Sequence, residues 1–168
     1  MEIRILDVND AFVFQTLRLK GLITEPEAFG STFDREERYS LETVARRLKP
    51  TDSKFTLGAF DENHSLAGMV TFIRGESPKT AHIGNVYGMY IEPVHRRQGL
   101  GKALLLDLLK KAGKENVEQI HLSVVSGNAA AKNLYKSMGF KTYGVEKHAL
   151  KFNGKYYDED LMVLFLRT

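Results

Sequence analysis

Apolar and polar positions along the chain follow two periods, one of two residues and one of about 3.6 residues. Alternation rich in β-branched and aromatic residues predicts strands, and apolar residues at spacings of three and four predict helices. The predicted strands are residues 2–6, 54–60, 65–74, 80–91, 119–125, 140–152 and 156–166. The predicted helices are one that ends near residue 23, then 34–48, 99–112 and 128–138. This order, β-α-α-β-β-β-α-β-α-β-β, predicts an α/β protein whose helices cross over one mixed central sheet.

Capping and turn residues bound these elements. Asp7 or Asn9 supplies the side-chain oxygen that begins the first helix, and Pro50 ends the second helix. Gly139 follows the last helix at a position that favours a left-handed residue. Asn153-Gly154 between the last two strands is typical of a two-residue hairpin turn. Each boundary therefore has a local chemical cause.

The length of 168 residues is that of one domain, and we expect a single domain over residues 1–168. The chain has no cysteine, which excludes a disulfide framework and a thiolate nucleophile. No apolar run approaches the ~20 residues that span a bilayer, and the start Met1-Glu2 carries an acid and lacks the apolar core of a signal peptide. We therefore expect a cytoplasmic protein with no membrane partner.

The formal charge of +3 is unevenly distributed along the chain. Residues 95–114 carry six basic side chains against Asp107, a local charge of +5, whereas residues 24–44 carry a local charge of −4. A nucleic-acid binder spreads basic residues over a face and interleaves aromatic ones, so we expect no nucleic-acid partner. The pattern favours an anionic small molecule at one place and a cationic one at another, unless both segments are solvated helix faces.

A glycine-rich segment joins one predicted strand to the next predicted helix. Pro93 blocks continuation of the strand, and Gly99-x-Gly101 opens the helix. The first turn of a helix leaves about four N–H groups unpaired and carries roughly half a positive charge. Such a segment is predicted to cradle a pyrophosphate. The basic side chains within it are Arg96, Arg97 and Lys102.

Two commoner phosphate-binding motifs do not fit this segment. The dinucleotide-binding pattern needs a third glycine, and Leu104 stands at that position. The Walker pattern needs a serine or threonine after Gly-Lys, and Ala103 stands there. The segment is thus a different kind of cradle, or a glycine-rich connection that only turns the chain.

A second segment, residues 128–140, has the spacing of a helix with one distinctive face. Asn128, Ala131 and Tyr135 are three and four residues apart and share that face. Tyr135 either points into a cleft beside the cradle or packs in the core. Asn128 either contacts a ligand or only caps the helix.

Together the two segments resemble the GNAT superfamily of N-acetyltransferases. The first is similar to the family signature Arg/Gln-x-x-Gly-x-Gly/Ala, and the second to Asn-x-x-Ala-x-x-x-Tyr-x-x-x-Gly-Phe. The matching residues are Arg96, Gly99, Gly101, Asn128, Ala131, Tyr135, Gly139 and Phe140. Residues 26–30 and the closing segment 149–159 also resemble the family, so the likeness covers most of the chain.

The resemblance implies a GNAT-like mixed sheet that is splayed at its middle and flanked by about four helices. It implies acetyl-CoA as co-substrate, with the pyrophosphate on the amides of residues 97–102 and the pantetheine arm paired with residues 89–91. Asn128 is expected to hydrogen-bond the arm, with Asn133 and Lys136 nearer the nucleotide. By this resemblance the cofactor-binding residues are Met89, Tyr90, Ile91, Arg96, Arg97, Gln98, Gly99, Leu100, Gly101, Lys102, Asn128, Asn133 and Lys136.

The resemblance also implies direct transfer of an acetyl group to an amine, without an acyl-enzyme. Tyr135 is the expected proton donor to the departing thiolate, and a backbone N–H of Met89 or Tyr90 is the expected donor to the oxyanion. A protonated amine cannot attack a thioester, so a base or a water chain is required. Glu27 is the first candidate for that base, and the others are Glu25, His82, Tyr90 and Glu92.

The acceptor is the part that the sequence determines least. The acidic segment 24–44 favours a small cationic amine, and a protein N-terminal or lysine amine is the alternative substrate. A non-catalytic CoA-binding module is the alternative to an enzyme. The five histidines show no metal-ligand spacing, so we expect no metal. The family resemblance implies a homodimer.

Overall fold

One sheet of seven strands runs through the molecule, and the computed structural model describes residues 1–167 of the chain. The strands are β1 (Glu2–Ile5), β2 (Lys54–Phe60), β3 (Leu66–Arg74), β4 (Ile83–Ile91), β5 (Gln119–Val125), β6 (Lys141–Phe152) and β7 (Lys155–Phe165). Their order in the sheet is β1-β2-β3-β4-β5-β7-β6. Neighbouring strands are antiparallel except β4 and β5, which are parallel. The mixed α/β fold predicted from the sequence is confirmed.

Helices cover both faces of this sheet. The α-helices of the described residues are α1 (Ala11–Thr24), α2 (Phe33–Glu36), α3 (Leu41–Leu48), α4 (Leu100–Lys114) and α5 (Ala129–Ser137). Residues of α4 and α5 pack with Val70 and Val86 in one apolar cluster, and residues of α1 and α3 pack with Met69 and Tyr90 in another. In residues 1–167, no helix combines the length and the apolar character required to cross a membrane.

The sheet opens between β4 and β5. The two strands pair only near their starts, where Ile83 is opposite Gln119 and Asn85 is opposite His121. Residues 86–91 of β4 continue beyond this point without pairing to β5. Backbone N–H and C=O groups need hydrogen-bond partners, so the gap is a place where another extended molecule can pair. The splay expected at the middle of the sheet is therefore present.

A bulge in β4 lies at this opening. Two β4 residues, Gly88 and Met89, are opposite the single β3 residue between Met69 and Thr71. Gly88 has a φ of +58°, a left-handed value that glycine adopts without a Cβ clash. A bulge of this kind bends its strand and re-aims the side chains next to it.

Two predicted elements are wrong in their extent. The predicted helix 34–48 is two helices, α2 and α3, because the Ser40 hydroxyl caps a new helix start between them. The strand predicted from residue 80 begins at Ile83, because a turn closed by backbone groups of Ser77 and Thr80 precedes it. In both cases a local hydrogen bond ends the regular element, although the apolar pattern continues through it.

The closing hairpin has the turn that its sequence predicts. Asn153 and Gly154 both have positive φ values, +49° and +77°. This is the backbone conformation of a type I′ turn, whose twist matches that of the flanking strands. The turn places β6 at the edge of the sheet and β7 between β5 and β6.

Candidate active site

A cleft of about 990 Å³ lies where β4 and β5 separate. Its walls come from α1 and the loop after it, from β4 and the loop that begins α4, from β5 and α5, and from the β6–β7 hairpin. The predicted site residues in its lining are Met89, Tyr90, Ile91, Arg96, Arg97, Gly99, Leu100, Gly101, Lys102, Asn128 and Tyr135. The fold therefore brings both sequence motifs to one cleft.

The loop that begins α4 has the geometry of an anion cradle. Arg97 and Gly99 both have positive φ, +62° and +78°, which turns neighbouring N–H groups towards a common concavity. Within residues 1–167, the backbone N–H groups of residues 97–102 have no hydrogen-bond acceptor. Unpaired N–H groups at the positive end of a helix attract a phosphate. The predicted cradle thus consists of free backbone donors.

Arg96 is held against β4 by groups of the protein. Its Nε donates to the Ile91 carbonyl oxygen at 2.9 Å, and its Nη1 lies 2.7 Å from Glu25 Oε1. The guanidinium also lies over the Tyr90 ring, 5.5 Å from the ring centre. Arg96 therefore joins the cradle to β4 and to the loop after α1, and Glu25 already balances its charge.

The two glycines of the cradle have different physical roles. Gly99 adopts a left-handed conformation in open space, so its role is conformational. A Cβ added at Gly101 would lie 3.1 Å from Leu134 Cδ2 and 3.1 Å from Met89 Cε. Gly101 therefore lets the first turn of α4 approach α5 and β4 closely.

Tyr135 lines the cleft although it is only 8% exposed. Its hydroxyl donates to Sδ of Met89 at 3.6 Å, and its ring packs edge-on against Phe140. Burial raises the pKa of Tyr135 to about 12. The phenol therefore keeps its proton near neutral pH and is able to donate it. Tyr135 both packs in the core and reaches the cleft, so the two alternatives from the sequence are compatible.

Asn128 caps α5 and also lines the cleft. Its Oδ1 accepts a hydrogen bond from the Ala131 N–H at 3.2 Å. The cap uses the oxygen of the amide group and leaves the Nδ2 donors for another partner. The geometry is therefore compatible with both readings of Asn128, and its contact with a ligand stays a prediction.

A partly buried ion pair fixes α5 to the sheet. Lys132 Nζ lies 3.0 Å from Asp160 Oδ2 and also donates to the Ser126 carbonyl oxygen at 3.1 Å. The Ser126 hydroxyl donates to Asp160 Oδ1 at 2.6 Å. The Ser126 hydrogen bond, followed by that of Lys132, holds the pKa of Asp160 below its ordinary value. These contacts anchor the helix that carries Asn128 and Tyr135.

The other half of the cleft is lined by polar side chains that the sequence motifs do not indicate. They are Arg18, Ser31, Asn85, Tyr87, His121, Ser123, Tyr143 and Glu159. They come from distant parts of the chain, and only strand pairing and helix packing bring them together. One sequence signal was available for part of this set. Alternation along β5 puts His121 and Ser123 on the face opposite the buried Ile120 and Leu122.

Two of these side chains have shifted pKa values. Burial lowers the pKa of His121, with a further contribution from His82, and its Nε2 lies 2.8 Å from Gln119 Oε1. Burial also raises the pKa of Glu159, with a further contribution from the Glu146 carboxylate. A neutral imidazole and a carboxylate of raised pKa can each accept a proton from an amine. Both are base candidates that sequence reasoning missed.

Glu27 lies in a second depression beside the main cleft. Its neighbours there include His148, Tyr156 and Asp158 of the β6–β7 hairpin. Glu27 is not a lining residue of the main cleft, whereas Glu25 lines both the main cleft and the second depression. Glu27 therefore lies beside the main cleft, and its role as the base stays a prediction.

The other base candidates are engaged or lie elsewhere. Glu92 pairs with Lys20, and the Tyr90 hydroxyl shares a hydrogen bond with Thr24 Oγ1 at 3.0 Å. His82 precedes β4 and is not part of the cleft lining. Three of the residues predicted to bind the cofactor also lie outside the lining: Gln98, Asn133 and Lys136. All three are exposed.

The fold and this cleft define an α/β protein with a candidate binding site for a phosphate-bearing small molecule between two splayed strands. Free backbone donors at one end and a buried phenol beside β4 are the chemical features of that class of site. The chain belongs to the acetyltransferase (GNAT) family, whose sequence pattern matches residues 22–140. The match includes the cradle and the segment that carries Tyr135.

Individual relatives and solved structures agree with this assignment. The chain is 36% identical over 63 residues to the ribosomal protein bS18-alanine N-acetyltransferase of Escherichia coli (strain K12). The matched stretch covers 38% of this chain and 43% of that protein. A GNAT-family acetyltransferase from Streptococcus pneumoniae superimposes with a TM-score of 0.85 at 25% identity, over 98% of both chains. A protein from Salmonella typhimurium, solved with its cofactor acetyl-CoA, gives a TM-score of 0.81 at 24% identity, over 100% of this chain and 95% of that chain.

Proposed function

We propose that the chain is an acetyl-CoA-dependent N-acetyltransferase that moves an acetyl group directly to a primary amine. The observation that carries this proposal is the run of unpaired N–H groups at residues 97–102, in the same cleft as the Tyr135 hydroxyl. The run of N–H groups suits a pyrophosphate, and the Tyr135 hydroxyl provides a proton donor beside the opened sheet. The Salmonella typhimurium structure with acetyl-CoA supports the choice of co-substrate.

The residues present fit acetyl-CoA. The amides of residues 97–102 would hold the pyrophosphate, assisted by the charges of Arg97 and Lys102. The edge of β4 at residues 89–91 would pair with the amide groups of the pantetheine arm, with the Nδ2 donors of Asn128 on the other side. Bound acetyl-CoA would supply the thioester whose acetyl group is transferred.

Transfer forms a bond from the amine nitrogen to the acetyl carbon and breaks the bond from that carbon to sulfur. The nitrogen loses a proton to a base, and the sulfur gains one. Tyr135 suits the second role because its hydroxyl lines the cleft beside Met89 and carries its proton at neutral pH. A backbone N–H of Met89 or Tyr90 would donate to the carbonyl oxygen as negative charge develops there. Glu27, His121 and Glu159 are the candidates for the base.

The proposed acceptor is a small cationic amine. Among residues 1–167, Glu159 in the cleft and Glu27 beside it have no salt-bridge partner and are able to attract an ammonium group. Glu25 and Glu36 are already paired with arginines. Two carboxylates of this acidic segment are therefore already paired. Fewer of them are free to attract the amine than the local charge of −4 indicates.

A protein amine is the second candidate acceptor. It is favoured by the likeness to the ribosomal protein bS18-alanine N-acetyltransferase, which acts on a protein. A non-catalytic CoA-binding module is the third candidate, and the buried, protonated Tyr135 beside the opened sheet counts against it.

Release of the CoA thiol from acetyl-CoA tests these candidates. The panel contains polyamines, amino acids, aminoglycosides and peptides with free N-termini or lysines. Steady turnover with a small amine is the expected result. Turnover with peptides alone would replace the small amine by a protein acceptor. Tight binding of acetyl-CoA without turnover on any amine would favour the non-catalytic module.

Assembly as a homodimer and a cytoplasmic location are two further proposals. Both rest on the family resemblance. Sedimentation equilibrium tests the first, with a mass of twice the 19.0 kDa chain expected. Fractionation of the source cell tests the second, with the protein expected in the cytosolic fraction.

A further inference from the structure

Arg18 has one nitrogen atom that its protein partners leave free. Its Nε and Nη2 donate to the two carboxylate oxygens of Glu36 at 3.0 and 3.1 Å. The guanidinium carbon lies 4.7 Å from the centre of the Phe29 ring, which fixes the guanidinium plane. Within residues 1–167, Nη1 has no hydrogen-bond partner. A Cβ added at Gly88 would lie 2.8 Å from Nη1, so this nitrogen lies against the bulge of β4.

Ser31 supplies a second unused donor in the same wall of the cleft. Its Oγ is buried and has no hydrogen-bond partner among the described residues. The hydroxyl lies near the Glu36 carboxylate and helps to lower the pKa of that group. Buried polar groups in proteins are nearly always paired with protein, water or ligand. Arg18 and Ser31 both line the cleft, and both lie beside the Glu36 carboxylate, so they belong to one side of the cleft.

Glu36 holds Arg18 in place for this role. Burial acts to raise the pKa of Glu36, but the hydrogen bonds and charge of Arg18 outweigh burial and the pKa is lowered. The Gln15 amide donates to the Glu36 carbonyl oxygen at 2.8 Å and fixes the backbone of α2 as well. The guanidinium is therefore pre-oriented, with its free edge at the cleft.

The chemistry of the two donors suits a carboxylate. Nη1 offers N–H donors in the guanidinium plane, which matches the planar geometry of a carboxylate oxygen pair. Glu36 already balances much of the Arg18 charge, so the site suits a singly charged group better than a phosphate dianion. The other basic residues of the cleft lining lie in the cradle: Arg96, Arg97 and Lys102.

We propose that Arg18 and Ser31 bind a carboxylate of the acceptor, so that the acceptor is an amino acid or a similar amino-carboxylate. This inference rests on the proposed N-acetyltransferase function and adds the chemical class of its acceptor. Gly88 directly precedes Met89, whose N–H is a proposed donor to the reacting carbonyl oxygen. A carboxylate bound to Arg18 would therefore lie on the β4 side of the cleft, and the ammonium group supplies the positive charge of the acceptor.

Matched pairs of amino acids and amino-acid amides test this site. The amide keeps the amine and the side chain but replaces the carboxylate by a neutral group. With the wild-type protein we expect kcat/KM for the acid to exceed that for its amide by about tenfold or more, as for the loss of a hydrogen bond to a charged group. A ratio near one would overturn the carboxylate site.

Variants of Arg18 and Glu36 test whether this ion pair causes the preference for the acid over its amide. Arg18→Met combined with Glu36→Gln removes both charges together, so that no buried carboxylate is left unpaired. This double variant is expected to bring the acid-to-amide ratio to about one with the KM for acetyl-CoA unchanged. Arg4→Met with Asp10→Asn is the matched control, since this pair also has two hydrogen bonds, of 2.7 and 2.8 Å, but lies outside the cleft lining. The control variant is expected to keep the wild-type ratio.

Ser31→Ala gives a second route that leaves the ion pair intact. We expect it to lower the acid-to-amide ratio several-fold without loss of thermal stability. A wild-type ratio that survives both Ser31→Ala and the double variant would overturn the assignment of these residues. If the double variant does not fold, Ser31→Ala and the binding measurement below decide the question.

A binding measurement separates this inference from the proposed function. N-acetyl amino acids and N-acetyl amino-acid amides are titrated into the wild-type protein saturated with CoA, by isothermal titration calorimetry. We expect the carboxylates to bind about tenfold or more tightly than the amides, which needs no catalytic turnover. Equal binding would overturn the carboxylate site even if amines are acetylated. Failure of every amine to release CoA would overturn the proposed function instead.

Discussion

The Tyr135 hydroxyl donates a hydrogen bond to Sδ of Met89 across 3.6 Å, and this contact joins α5 to β4 beside the opening of the sheet. The two residues are 46 positions apart in the chain. Met89 belongs to the β4 bulge, and Tyr135 belongs to the helix that follows β5. The contact therefore places a protonated phenol next to the strand at which the reacting group would lie.

Tyr135→Phe is expected to lower kcat by about 100-fold or more, because the proton donor to the leaving thiolate is lost. The KM for acetyl-CoA is expected to change little, since the ring remains in place and the hydroxyl makes only a weak bond to sulfur. Steady-state kinetics with acetyl-CoA and the best amine of the panel check both values. Tyr39→Phe is the matched control, because Tyr39 packs on Arg47 away from the cleft. Equal kcat in the two variants would make Tyr135 a packing residue.

The pH dependence of the rate follows from the raised pKa of Tyr135. A group with a pKa of about 12 stays protonated below that pH and loses its proton only as the pH rises through it. We therefore expect kcat to show no decline from Tyr135 ionisation up to pH 10, whereas kcat/KM rises as the amine loses its proton. A pH series from 6 to 10 with the wild-type protein checks this. A decline with a midpoint near pH 9 that disappears in Tyr135→Phe would contradict it.

Gly101→Ala is expected to raise the KM for acetyl-CoA about fivefold, which corresponds to about 1 kcal/mol. The added Cβ would lie 3.1 Å from Leu134 and Met89 side-chain atoms, so the first turn of α4 has to shift. Gly113→Ala in the same helix is the control, because its Cβ meets nothing within 4 Å. That control is expected to gain stability, about 1 kcal/mol, from helix propensity, with an unchanged KM. Equal KM values for the two variants would show that the close approach at Gly101 is not needed for binding.

Asp160→Asn is expected to lower the free energy of unfolding at pH 7 by about 1–3 kcal/mol, because hydrogen bonds to a buried charge are lost. The pKa of Asp160 is lowered in the folded state, so its stabilisation is present above the ordinary carboxyl value and is lost as the pH falls through the folded value. The difference between wild type and variant is therefore expected to narrow below about pH 4. Urea unfolding between pH 7 and pH 3 checks this. Asp52→Asn, at an exposed position, is the control. A difference in unfolding free energy between wild type and Asp160→Asn that stays constant with pH would contradict this role of the Asp160 charge.

The fold could be predicted from the sequence where local signals decide it. β5 has the predicted bounds, and the Asn153-Gly154 turn adopts the backbone conformation that these residues favour. Prediction failed between α2 and α3, where the Ser40 cap interrupts an apolar pattern that continues on both sides. A capping side chain begins a new helix through one hydrogen bond. The periodicity of apolar residues alone does not show whether such a cap interrupts a longer helix.

The candidate site divides in the same way. The cradle and the Tyr135 segment could be found because each is a run of neighbouring residues with fixed spacing. The other half of the cleft could not, because its members come from separate elements. Arg18 meets Glu36 across 18 positions and lies against Gly88 of β4, and no local spacing in the sequence predicts either contact.

The sequence by itself determined the α/β order, the glycine-rich loop that begins α4 and the helix that carries Tyr135, since each depends on contacts between near neighbours. Only the tertiary structure decided which carboxylates are free and which donors are unused. Glu25 is paired with Arg96 and Glu36 with Arg18 through contacts that no local pattern encodes. Charge counted along the chain cannot distinguish a paired carboxylate from an open one, because pairing depends on where the sheet brings distant segments together.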